Sequence, residues 1–430
     1  MFPVSQSVAV PTADTATLPL DWIRPQFPAL AQTMNGSPIA FLDGPGGTQI
    51  PQRVMEAMGH YLTHSNANAH GAFATSQRTD EVIAAARGAM ADFLGCNPNE
   101  IVFGANMTSL TFAISRAIGH ALLPGDEILV TCLDHDANIA PWLALREQGI
   151  IVHTVDIHPE NCTLDLKDLI SKLNHRTRLL AITYASNAVG TLNDLPTIIQ
   201  LAHNAGAWVY IDAVHYAAHG PIDVQQLDCD FLVCSPYKFF GPHMGVLYGK
   251  RDHLERLHPY KVRPASDVIP YRWETGTQNH EGLAGVTAAI EYLADLGRLV
   301  SPQMSKRRGA VFAAMTAIRH SGEQLCQVLI EGLLQLPGVT VYGITAPEQM
   351  LWRLPTVAIR MTKHPPATIA KTLGEQGIFT WHGNFYALNL TQRLGVEDQG
   401  GLLRIGLVHY NTSAEINRLL AALTDIDITR

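Results

Sequence analysis

Charge is scarce in this chain. Only 16% of its 430 residues are Asp, Glu, Lys or Arg, against 47% hydrophobic ones, a balance that excludes overall disorder and suits a compact protein with surface to bury in a subunit interface. A basic excess is missing as well. With 30 Lys and Arg against 38 Asp and Glu the net charge is -8, which offers no polyanion-binding surface and argues against a nucleic-acid partner. No run approaches the ~20 apolar residues that span a bilayer, since those at 150–152 and 178–182 are soon interrupted. The N-terminal segment has no basic start and is broken by Pro3, Pro11 and Pro19. It is expected to be a loose arm rather than a signal peptide, on a cytoplasmic protein. The cysteines, Cys96, Cys132, Cys162, Cys229, Cys234 and Cys326, form no CxxC pair, so buried thiols in a reducing compartment are expected and no metal site.

What the chain does have is length for two or three domains and a repeating pattern. A 3.6-period face made by Val82, Ile83, Ala86, Met90, Phe93 and Leu94 predicts a helix opened by Thr79-Asp80. Apolar runs at 101–103, 127–132, 150–155, 178–185, 207–211, 231–234 and 244–248 predict strands, most of them separated by helical segments. Such interleaving marks an α/β fold with a mainly parallel sheet covered on both faces. After about residue 300 the pattern turns to helices near 307–334, then strands near 339–342 and 356–360, as in a smaller α+β domain.

Ligands of parallel sheets gather at the carboxyl ends of strands, so the polar residues just past those ends are the candidates. Strand 101–103 runs into Gly104-Ala105-Asn106-Met107-Thr108-Ser109, where free N–H groups and a hydroxyl can cradle an anion. The same residues also suit a plain helix N-cap. Strand 127–132 leads to Asp134-His135-Asp136; without a second ligand cluster, His135 reads as a hydrogen-bonded loop residue rather than a metal ligand. Ser186-Asn187 follows 178–185. Asp212, with His215 close behind, follows 207–211, and a carboxylate there needs a cation or donors. Ser235-Pro236-Tyr237-Lys238 follows 231–234, setting a lysine among aromatic residues where desolvation lowers its pKa and sharpens its nucleophilicity. A buried Lys, a buried Asp and an anion cradle are together the inventory for pyridoxal 5'-phosphate. The Lys condenses with its aldehyde, the Asp keeps its ring nitrogen protonated, and the cradle takes the phosphate.

In this order Asn106-Met107-Thr108, His135, Asn187, Asp212-x-x-His215, Ser235-x-x-Lys238 and Gly276-Thr277 resemble the class V aminotransferases, in particular the cysteine desulfurase and selenocysteine lyase group. The resemblance covers about residues 38–425 and is densest over 134–142, 179–190, 221–231 and 238–248. It implies a fold-type-I pyridoxal phosphate enzyme: a large domain, 41–299, around a mainly parallel seven-stranded sheet, a small α+β domain, 300–430, and an arm, 1–40, packing on the small domain. Residue roles are implied too. Lys238 would carry the cofactor as a Schiff base, Asp212 would pair with the ring nitrogen, His135 would stack on the ring, and Asn187 and His215 would lie near its phenolic oxygen. Asn106, Met107, Thr108, Ser235 and Tyr237 would complete the cofactor site, with Thr108 and Ser235 on the phosphate. Thr277 would reach the phosphate in a neighbouring subunit, which implies a homodimer with shared active sites. Arg404 would clamp the α-carboxylate of an amino-acid substrate, its other reading being a surface salt bridge.

Some positions depart from the family pattern. His215 stands where Gln is usual and Tyr237 where His is usual, and both can still hydrogen-bond. In Trp381-His382-Gly383-Asn384-Phe385-Tyr386 the Trp replaces an Arg, the Tyr replaces the sulfur-accepting Cys, and no cysteine follows Cys326. Trp381 and Asn384 are therefore candidate substrate contacts and Tyr386 a candidate proton donor, with plain packing of these aromatics as the other reading. The resemblance implies Cα-deprotonation chemistry on an amino acid, leaning to a lyase that cleaves a Cβ–S or similar bond. An aminotransferase or epimerase is the alternative, as is a desulfurase with a non-standard sulfur acceptor. A non-catalytic cofactor-binding protein is disfavoured, because it would need neither Lys238 nor Asp212.

Overall fold

The structure is a computed structural model and describes residues 18–428. At its centre lie β1 (Ile101–Gly104), β2 (Glu127–Thr131), β3 (Ile151–Val155), β4 (Thr177–Thr183), β5 (Trp208–Asp212), β6 (Phe231–Cys234) and β7 (Gly245–Gly249). They form one seven-stranded sheet in the order β1-β7-β6-β5-β4-β2-β3. Only β7 is antiparallel to its neighbours; the other pairings are parallel. The α/β class and mainly parallel sheet expected from the apolar runs are thus the observed ones.

The strands carry continuous apolar runs because both faces of the sheet are covered. Along β5, Val209 and Ile211 join the core containing Leu94 of helix α1 (Ala74–Leu94) and Leu293 of α3 (His280–Val300). Tyr210 between them points to the opposite core, beside Ile114 of α2 (Met107–Gly119), as a period of two requires. One helix start differs from expectation: α1 begins at Ala74, not at Thr79-Asp80. Thr79 is buried within the helix, its Oγ1 3.0 Å from the Tyr61 hydroxyl and donating to Ser65 O at 3.1 Å. A hydroxyl that reads locally as a cap is instead held by the preceding segment.

Helix α4 (Arg307–Leu334) packs along α3 and leads to a second, antiparallel sheet. This sheet holds β8 (Val339–Tyr342), β9 (Thr356–Met361), β10 (Trp381–Gly383) and β11 (Leu402–Gly406) in the order β8-β9-β11-β10. The apolar pattern reveals β8 and β9 but neither β10, three residues long and without a buried one, nor β11.

Of the expected arm, residues 1–17 lie outside the described residues. The rest does not pack on the later region alone. Trp22 stacks on Tyr292 at 5.6 Å and 7°, and Phe27 meets Phe240 and His409 edge-on. Arg24, in turn, donates to Tyr410 O at 2.6 Å and pairs with Glu415 at 3.1 Å. No helix among the described residues is long and apolar enough to cross a membrane.

Candidate active site

Parallel direction brings the ends of β1, β2, β4, β5 and β6 to one edge of the sheet, and the turns that follow them wall a cavity of about 500 Å³. The opposite wall comes from β10, β11 and a turn at Gly44–Gly46. Every expected site residue lines this cavity except Thr277.

After β1, Asn106 caps α2 by accepting the Ser109 N–H at 2.8 Å. The first N–H groups of a helix have no partner within it, and Met107 and Thr108 line the cavity there. The N-cap is thus observed, and it leaves the start of the helix at the cavity wall. Gly245 on β7 makes the approach of this turn feasible, because a Cβ at 245 would lie 2.3 Å from the Asn106 carbonyl carbon.

Asp212 ends β5, buried, and accepts the Val214 N–H at 2.8 Å. Burial lifts its carboxyl to about 6. Ser235, Tyr237 and Lys238 follow β6. The Lys238 ammonium lies 5.0 Å from the Tyr237 ring centre and donates to the Pro45 carbonyl. Burial, reinforced by the Arg404 charge and opposed by Asp212, brings it down to about 7, where a lysine is largely available as a neutral nucleophile. His135 uses Nδ1 to accept the Ala137 N–H at 3.0 Å, and burial pushes its ring down to about 4, so it is neutral. Its neighbour Asp134 turns away, to Thr131 and Asn138. His215 is buried with Nε2 2.9 Å from Thr356 Oγ1.

On the far wall Arg404 is buried rather than engaged in a surface salt bridge. It donates to Asn187 O at 2.9 Å and lies 4.2 Å from the Phe385 ring centre, while Asn187 Nδ2 donates to Phe385 O at 2.8 Å. Asn384, expected as a substrate contact, has both ends of its amide engaged with protein: Oδ1 accepts the Tyr386 N–H within its own turn at 3.0 Å and Nδ2 donates to Glu397, 13 residues on, at 2.9 Å. Tyr386 is 71% exposed and stacks on His135 at 5.2 Å.

Thr277 stands elsewhere in its own chain, in a second cavity with Gly104, Ala105 and Ser109. The 104–109 turn thus presents 106–108 to one cavity and its flanks to the other. Sequence reasoning missed the contributions of Pro45, Gly46 and Phe385 to the walls. The Gly44-Pro45-Gly46-Gly47 cluster is a turn signal, yet nothing local tells which strand ends it faces.

Comparison with known proteins settles the family. The aminotransferase class-V model matches residues 40–419. The chain belongs to the class-V aminotransferase family. Within it, the chain is 34% identical over 425 residues to a cysteine desulfurase of Pectobacterium atrosepticum, covering 95% of this chain and 98% of that one. A cysteine desulfurase of Salmonella typhimurium is 33% identical at the same coverage. Among solved structures, a cysteine desulfurase of Thermococcus onnurineus superposes with a TM-score of 0.84 at 26% identity, covering 96% of this chain and 98% of that one. One of Escherichia coli superposes at 0.81 and 28% identity, covering 95% and 98%.

This class-V chain is a cysteine desulfurase-like, pyridoxal-phosphate-dependent enzyme of lyase or transferase type, and the family is generally homodimeric with small amino-acid substrates. The residues present fit the cofactor. A depressed lysine, a buried carboxylate and a helix start meet in one cavity, and the buried Asn187 Oδ1 and Arg404 Nε have no protein partner, as expected of groups that face a polar ligand.

Proposed function

We propose that this enzyme is a lyase that breaks the Cβ–S bond of a cysteine-like amino acid without passing sulfur to a cysteine of its own. One observation carries the reading: no cysteine lines the cavity among the described residues. The thiols packed behind the 385–390 turn do not face it. Cys132 donates to Asn389 O at 3.3 Å, and burial pushes Cys132 up to about 12 and Cys162 up to about 11, far from the thiolate that attack on sulfur needs.

Bound pyridoxal phosphate supplies the aldehyde and the electron-withdrawing ring that acidify the Cα–H of an attached amino acid. Lys238 holds the cofactor and then takes the Cα proton on Nζ. Asp212 would keep a proton on the cofactor's ring nitrogen, His135 would pack against its ring, and Asn187 and His215 would bond near its phenolic oxygen. Thr108 and Ser235, with the start of α2, would hold the phosphate, and Thr277 of one protomer would reach the phosphate of the other in a homodimer. Arg404 clamps the substrate carboxylate, and Tyr386 gives a proton to the departing sulfur. On this reading residues 41–299 form the cofactor-holding part and 300–430 the part that carries Trp381 and Arg404.

A second reading, transamination or epimerisation, is favoured by the position of Tyr386 at the rim. Incubation with L-cysteine separates the readings. The lyase gives sulfide, pyruvate and ammonia. Alanine with cyanide-labile sulfur on the protein would restore an ordinary desulfurase, and an amino-acceptor requirement a transaminase.

A further inference from the structure

We infer that the substrate is a cysteine S-conjugate, a thioether whose sulfur carries an apolar, flat substituent seated against Trp381; this deepens the lyase reading and rests on it. The register of the small sheet supplies the geometry. Trp381 on β10 is paired directly with Arg404 on β11, and directly opposed residues of an antiparallel pair project from the same face. An amino acid anchored by its carboxylate on Arg404 therefore has its side chain within reach of the indole. The indole is also seated from below, since a Cβ at Gly46 would lie 2.6 Å from Trp381 Nε1. At this position only a glycine leaves room for the ring.

Two further aromatic residues stand at the rim, beside the polar His382 and Asn384. Phe385 and Tyr386 are held at φ of 56° and 58°, a conformation that costs bulky residues energy, so the turn keeps them at the mouth against local preference. Trp381 and Tyr386 remain 52% and 71% exposed. Among the described residues, Asp, Glu, Lys and Arg line the cavity only as Asp212, Lys238 and Arg404, each already engaged with cofactor or carboxylate in the reading above. A charged distal group would lose its hydration against indole and phenol without a partner, whereas an apolar one gains contact area.

The reaction balances without a redox partner. The Cα–H proton goes to Lys238, its electron pair forms the Cα–Cβ double bond, the Cβ–S bond breaks, and the sulfur leaves as a thiol with a proton from Tyr386. One water is consumed, and pyruvate and ammonium are released with the thiol.

The test compares pyruvate release by the holoenzyme from L-cysteine, S-methyl-L-cysteine and S-benzyl-L-cysteine, for the wild type, Trp381→Ala and Trp381→Phe. A binding titration with S-benzyl-α-methyl-L-cysteine, which has no Cα proton to lose, is followed calorimetrically. The expected kcat/KM for the benzyl thioether exceeds that for the methyl thioether at least about tenfold, the scale of one aromatic pair. Trp381→Ala should erase that ratio through KM and weaken the analogue by a similar factor, and Trp381→Phe should retain both. Equal rates for all three compounds, a preference for free cysteine, or a ratio untouched by Trp381→Ala would overturn this inference and leave the lyase reading standing. Alanine from cysteine with no pyruvate from any compound would overturn the lyase reading itself.

Discussion

Lys238 stands between opposed influences, burial and Arg404 favouring its neutral amine and Asp212 its ammonium, with a balance near 7. Because its pKa is lowered, the neutral fraction grows as pH rises through about 7, not through the ordinary lysine range. Capture of added pyridoxal phosphate by the apoenzyme, followed by absorbance, should therefore rise with a midpoint near pH 7 and level off about one unit above it; a midpoint near the ordinary lysine range would contradict this. Borohydride reduction and peptide mapping should place the adduct on Lys238. If Asp212 holds the proton of the ring nitrogen as proposed, Asp212→Asn should lower kcat by about 100-fold or more, with the protein still folded by circular dichroism. These residues are legible in sequence because each directly follows an apolar strand, where a parallel sheet places its ligands. Pro45 and Phe385 are not legible: their part in the site depends on partners far away in the chain, Lys238 and Arg404.

At the scale of elements, the start of α2 depends on how closely β7 lets it approach. Gly245→Ala would set a methyl group against the Asn106 backbone, which cannot rotate away as a side chain can. The expected cost is about 1–3 kcal/mol, seen as a lower Tm, together with weaker retention of cofactor as the N–H groups of Met107 and Thr108 move. An unchanged dissociation constant for pyridoxal phosphate would show that this turn holds no phosphate. The long strands of the large sheet were readable because two-sided burial makes them continuous apolar runs. β10 was not, since Trp-His-Gly is neither apolar throughout nor alternating, and its pairing with β11 alone makes it a strand.

For the whole molecule, one buried ion pair ties distant parts together. Arg87 of α1 and Glu274 form a two-pronged pair at 2.8 and 2.6 Å, both side chains buried, and the same carboxylate accepts the Phe103 N–H of β1 at 2.8 Å. The pair thereby fixes the segment leading to Thr277 against the strand leading to Asn106. Arg87→Met should destabilise by about 3–5 kcal/mol by leaving Glu274 unpaired, and Arg87→Met with Glu274→Leu should recover most of it, as read by urea unfolding. The homodimer proposal adds a concentration test. If Thr277 serves the other protomer, dilution that dissociates the dimer should release cofactor, and Thr277→Ala should do so at higher protein concentration, measured by sedimentation with absorbance detection. A monomer that retains cofactor and full activity would refute the shared site.

By itself the sequence determined the α/β class and the mainly parallel sheet, and it picked out the polar residues after the strands that line the cavity. Those follow from local apolar runs and from a rule of direction that holds whatever the strand order. Only the tertiary structure decided that Arg404 is buried against Asn187 and Phe385, that Trp381 stands beside it, that Asn384 bonds to Tyr386 and Glu397, and that Thr277 lies outside the cavity lined by Lys238 of its own chain. The reason is physical. Local propensity acts over a few residues, whereas the register between β10 and β11 and the closure of the far wall over the strand ends arise from pairing and packing between segments distant in the chain.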